Sequence, residues 1–183
     1  MRSPENYYIN NLDRPEEDEI AKRGLLAEEL VVNAINTGID GLEARLSTLS
    51  EDSGVKDIGP TQTIDAVAYS EGKPVMGIQI TTAEDPKTRQ KKMQELMDQP
   101  FIRLAEMRPK DPAIPKVLVY LDRKTVDRYE HENKIESDMI IKIIDGAIKS
   151  LTFDLAKTQN PQEQKAIRDL IQQLTQEQKK LIH

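Results

Sequence analysis

The chain has 183 residues, 37% of them hydrophobic and 32% charged, with a net charge of −6. That length fits one domain, or one domain with a small helical appendage, and the composition is too apolar for a disordered chain and too polar for a membrane-embedded one. The lack of cysteine, with only two histidines (His131 and His183), excludes disulfides, thiolate zinc sites, cysteine nucleophiles and a histidine-rich metal centre.

The opening residues MRSPENYYIN hold no apolar segment, and no run approaches the roughly eighteen apolar residues of a membrane span, so a cytoplasmic chain without membrane contact is expected. The first helix begins in Pro15-Glu-Glu-Asp-Glu19, where acids suit the positive end of a helix. Its apolar residues, from Ile20 through Leu25, Leu26, Leu30 and Val31 to Ile35, repeat with the helical period, and Gly38 reads as the residue just past its end. Leu42–Leu49 alternates as a strand, and Glu51-Asp-Ser-Gly54 reads as a turn. Two stronger strands follow, Thr63–Tyr69 and Val75–Thr81, joined as a hairpin by Ser70-Glu-Gly-Lys-Pro74. Asp85-Pro86 supplies an N-cap and a proline at N1 for a helix reaching about Gln99. Pro115–Leu121 is a fourth strand. A helix from about Glu136 to Lys157 and another opened by Asn160-Pro161, with Glu163 at N3, close the chain.

The order α-β-β-β-α-β, then α-α, predicts an α/β fold with a mixed sheet: a core over residues 1–134 and a helical extension over 135–183. The two last helices either buttress the core or form a homodimer surface. P-loop, dinucleotide-binding and nucleophile-elbow motifs are absent. His131, in Tyr-Glu-His-Glu-Asn, reads as a surface residue.

A hairpin turn centred on Gly72 places Asp65 opposite Gln79 and Thr63 opposite Thr81. Period 2 then gathers Thr63, Asp65, Val67, Gly77, Gln79 and Thr81 on one face and leaves Ile64, Ala66, Ala68, Met76, Ile78 and Ile80 on a purely apolar one. The polar face is either solvated or a site. Gly77 in mid-strand would let a ligand or another backbone approach, and Glu28 on the first helix offers a second carboxylate.

The order of elements and these residues together resemble the PD-(D/E)XK nuclease superfamily, the restriction-endonuclease-like fold, over roughly residues 20–122. Gly24-Leu-Leu-Ala27-Glu28-Glu-Leu-Val31 matches the G-x-x-A-E-x-x-V context of that family's first helix, and Thr63-Ile-Asp65-Ala-Val67 matches its second-strand aspartate. In the third strand, Met76-Gly-Ile-Gln79-Ile-Thr81 departs from (D/E)-x-K at both positions. The resemblance implies Mg²⁺ or Mn²⁺ held by Asp65, Gln79, Glu28 and the Ile80 carbonyl, and phosphodiester hydrolysis of DNA or RNA. It also implies that the missing lysine can come from the next helix, where Lys87 and Lys91 share one face at i, i+4.

The net charge does not oppose such a partner once divided along the chain. Residues 1–86 carry a net −10, residues 87–134 a net +4, and residues 135–183 a net of zero. Lys87, Arg89, Lys91 and Lys92 form the densest basic run, either a solvated helix face or a contact for nucleic-acid phosphates. Two alternatives stay open: a nuclease-fold module that has lost its chemistry and binds nucleic acid or a protein, and a protein–protein module working through the C-terminal helices.

Overall fold

The computed structural model describes residues 15–47 and 64–183. Helix α1 (Pro15–Gly38) leads into strand β1 (Glu43–Leu46), and the hairpin is formed by β2 (Ala66–Ser70) and β3 (Lys73–Thr81). Helix α2 (Pro86–Asp98), a two-residue strand β4 (Phe101–Ile102) and β5 (Ile114–Tyr120) follow. Three helices close the chain: α3 (Arg123–Glu132), α4 (Ser137–Lys157) and α5 (Pro161–Ile182). The five strands make one mixed sheet in the order β1-β2-β3-β5-β4. β1, β2 and β3 run antiparallel, and β3 pairs with β5 in parallel across the α2 crossover.

Both predicted proline-led helix starts are present. Asp85 accepts the Thr88 N–H at 3.0 Å, and the Asn160 Oδ1 accepts that of Gln162 at 2.9 Å, each satisfying a first-turn donor. The hairpin turn is tighter than expected: only Glu71 and Gly72 lie in it, both with positive φ, as a two-residue turn matching strand twist requires. Three elements differ from the sequence reading. β4 and α3 are additional. The Asp122 N-cap of α3 accepts from both Thr125 groups, and Val126 and Tyr129 turn inward one helical turn apart. Gly38 belongs to α1 itself, where a Cβ would collide with the Ile140 side chain, so close helix packing explains it. The Glu51–Gly54 turn and the ends of the strands predicted at 42–49 and 63–69 lie outside the described residues.

One face of the sheet carries the main core. Ala66, Ala68, Met76, Ile78 and Ile80 meet Leu30 and Ile35 of α1, Ile144 and Leu151 of α4, and Ile167 of α5. The residues expected to form an extension therefore complete the same core as the elements before them. α1 is fastened to the sheet edge by Asn36, whose side-chain amide both donates to the Ala44 carbonyl (3.1 Å) and accepts from its N–H (2.6 Å). On the β5 side, short β4 leaves the Leu118 N–H without a strand partner, and Ser150 of α4 accepts it at 3.0 Å. Among the described residues, no helix is long and apolar enough to cross a membrane. His131 is exposed.

Candidate functional site

The hairpin pairs as expected at its centre, with Ala66 opposite Ile78, Val67 opposite Gly77 and Ala68 opposite Met76, before a bulge after Ala68 shifts the last pairs. The expected faces break at the other end. The chain bends at Asp65, just before β2. Ile64 is drawn into a small second cluster with Val67, Tyr69, Ile102, Leu104 and Ile114, on the side away from the main core. Strict alternation would have set Ile64 beside Ala66; the bend reverses it. The Asp65 N–H still donates to the Ile78 carbonyl at 2.8 Å, and its carboxylate Oδ2 accepts the Ile80 N–H at 2.6 Å. A side chain thus replaces the main-chain acceptor where β2 has not yet begun.

This bend brings Asp65 into a cleft of about 550 Å³ with Glu28, bounded by α1, the end of β3, the segment after it and α2. Ile80 and Thr81 line its floor and Lys92 its α2 wall. In an extended strand the C=O and N–H of one residue point to the same side, so the Ile80 carbonyl faces the edge that its N–H shares with Asp65. Burial pushes the Asp65 carboxyl up, opposed by the Ile80 N–H and by the charge of Lys92. Burial also pushes Glu28 up, and the neighbouring charge of Asp65 adds to it.

Other expected site residues stand elsewhere. Gln79 is 5% exposed and is paired with Leu118, on the sheet face opposite Ile78 and Ile80, so it does not line the cleft. Its expected role beside Asp65 as a ligand rested on an alternation that the bend interrupts. Lys87 and Lys91 are exposed and lie outside the cleft, because buried Leu96 fixes the phase of α2 and brings Lys92, one turn before it, to the cleft side. Sequence reasoning placed Lys92 only among the phosphate contacts; the i, i+4 relation of Lys92 to Leu96 was the signal that could have found it. Arg89 turns to the other side of α2, over the Tyr120 ring at 4.8 Å, with Nη2 donating to the Glu84 carbonyl at 3.3 Å. Gly77 leaves no opening for a ligand: a Cβ there would stand 3.2 Å from Ile102 and 3.3 Å from Ile64, so packing of the second cluster explains it. Thr63 lies outside the described residues.

Glu28, Asp65 and the Ile80 carbonyl are hard oxygen donors of the kind that Mg²⁺ and Mn²⁺ take. Among the described residues no group of three or more His, Asp or Glu side chains is placed to hold a metal ion. Glu28 and Asp65 are thus two of the acids that a divalent ion would need, and Lys92, Glu84 and Asp85 line the same cleft. The described chain is an α/β protein with five helices around a five-stranded mixed sheet. Comparison with protein-family models, curated proteins and solved structures finds no match.

Proposed function

We propose that this chain is a metal-dependent phosphodiester hydrolase acting on DNA or RNA, with a restriction-endonuclease-like core. The observation that carries the reading is the convergence of Glu28, Asp65 and Lys92 on one cleft at the end of β3. Two carboxylates gathered in a half-buried place repel each other, and a divalent cation relieves that repulsion. Glu28, Asp65 and the Ile80 carbonyl would hold Mg²⁺ or Mn²⁺, which when bound activates water and steadies the phosphate.

The chain's own residues do the rest. Asp65 is fixed by its bond to the Ile80 N–H, which leaves Oδ1 directed by the backbone and not by a free rotor. Lys92 stands beside Asp65 as the cation that favours an approaching phosphodiester and opposes its growing negative charge. Thr81, where the family pattern has lysine, carries no charge, and Lys92 takes that place from the following helix.

Calorimetric titration with Mn²⁺, paired with cleavage assays on single- and double-stranded DNA and on RNA, tests the reading. The wild type should bind Mn²⁺ and cleave, and Asp65→Asn and Glu28→Gln should lose both. Cleavage that persists in Asp65→Asn would sink the site. A second reading, a nuclease-fold module that binds nucleic acid or a protein without cutting, is favoured by the burial of uncharged Gln79 outside the cleft, which leaves Glu28 and Asp65 without a third-strand acid or amide side chain beside them. Its signature is salt-dependent retention of nucleic acid with no cleavage at any metal concentration.

A further inference from the structure

Thr81 borders two clefts. Besides the Glu28–Asp65 cleft, it lines a second one of about 350 Å³ on the other side of α2, with Arg89 and Gln90 from that helix, Leu118 and Tyr120 from β5, and Lys149 from α4. The two differ in charge. Four carboxylates (Glu28, Asp65, Glu84 and Asp85) line the first against two cations, Arg23 and Lys92. The second is lined by two cations and no carboxylate. A polyanion meets net repulsion at the first cleft until a divalent cation enters it, and net attraction at the second at all times.

We infer that the Arg89–Lys149 cleft is a binding site for the phosphate backbone of nucleic acid. It holds the strand beside the acidic cleft and is independent of metal. This deepens the proposed function by naming where its substrate is gripped, and rests on that reading for the choice of nucleic acid. The cations suit the task. The Arg89 guanidinium stands over the Tyr120 ring and gives one donor to the Glu84 carbonyl; the charge of Asp85 acts on it from the acidic cleft, but no carboxylate lines its own. A stacked, oriented fork of donors is what a phosphate takes well. Lys149 is exposed on α4 and makes no ion pair or hydrogen bond among the described residues. α4 places it at this opening because Ser150 docks that helix on the β5 edge, and at Gly146 a Cβ would stand 3.2 Å from the Leu118 carbonyl.

The test is fluorescence anisotropy of the full chain with labelled oligothymidylate and, separately, oligouridylate, in EDTA, over a series of salt concentrations. Lys149→Ala should weaken binding about fivefold and flatten the salt slope by about 0.7, the share of one lost phosphate contact on a single strand, and Lys149→Glu should weaken it further. Arg89→Lys, which keeps the charge and loses the fork, should also weaken it. Wild-type affinity and slope in both Lys149 variants overturn the inference, as does a wild type that retains neither oligonucleotide. The two readings fail separately. Lys149-dependent binding without Mn²⁺-dependent cleavage removes the hydrolase and keeps this site; Asp65-dependent cleavage with Lys149-independent binding does the reverse.

Discussion

Asp65 stands outside β2, yet its Oδ2 accepts the Ile80 N–H at 2.6 Å, closing with a side chain the rung that the main chain leaves open. The bond ties the fold to the site, so the two effects of mutation at Asp65 can be separated. Alanine removes the acceptor and orphans a half-buried N–H, a loss of about 1–3 kcal/mol. Asparagine keeps an acceptor and removes only the charge. Urea unfolding should show Asp65→Ala clearly destabilised and Asp65→Asn much closer to wild type, while Mn²⁺ binding should be lost in both. Equal stability of Asp65→Ala and wild type would mean that the hydrogen bond contributes nothing.

Lys92 gives a second separation. Its charge acts on Asp65, whereas Lys87 and Lys91 point into solvent. Lys92→Ala should lower the rate of Mn²⁺-dependent cleavage by at least about tenfold, the scale of losing one cation that stabilises transition-state charge. Lys87→Ala and Lys91→Ala should leave that rate unchanged. Single-turnover cleavage measures all three, and a deficit confined to Lys87 or Lys91 would return the role to the exposed face.

What the sequence disclosed and what it hid follow from the range of the forces involved. Asp85-Pro86 and Asn160-Pro161 were legible because a cap and its helix are neighbours in the chain. The central hairpin pairs were legible because a glycine turn fixes the register locally. The bend at Asp65 was not. Thr63–Tyr69 alternates well enough for an uninterrupted strand, and what turns Ile64 the other way is the cluster of Ile102, Leu104 and Ile114, brought from after the crossover. The position of Gln79 was misread for the same reason, since its face was judged against Asp65. Gly77, read as room for a ligand, is room for Ile64 and Ile102.

That misreading has its own test. If Gln79 stood at the site, Gln79→Glu would supply the acid that the PD-(D/E)XK pattern has there and strengthen metal binding. On the face where it stands, 5% exposed and paired with Leu118, a carboxylate is desolvated without a designed partner. Gln79→Glu should leave Mn²⁺ affinity unchanged in calorimetry and lower the thermal midpoint at neutral pH. The deficit should shrink as acid protonates the new side chain. Tighter Mn²⁺ binding in this variant would place residue 79 in the cleft after all.

Asp154 of α4 makes the pH behaviour of the whole fold predictable. It is completely buried, neither carboxylate oxygen has a hydrogen-bond partner among the described residues, and burial pushes its carboxyl up to about 8, with Lys116 pulling the other way. In the unfolded chain the same group ionises near the usual aspartate value of about 3.9. Between those two values the folded state binds more protons than the unfolded state, so stability falls as pH rises. The contribution of Asp154 is fully present below about pH 4 and is lost as pH climbs through about 8. Asp154→Asn fixes a neutral side chain of the same shape in that place. Its thermal midpoint should match the wild type near pH 4 and exceed it increasingly from pH 6 to 8. Parallel curves for the two proteins across that range would mean that Asp154 has a partner able to hold its charge, and that the buried carboxyl is ionised at neutral pH.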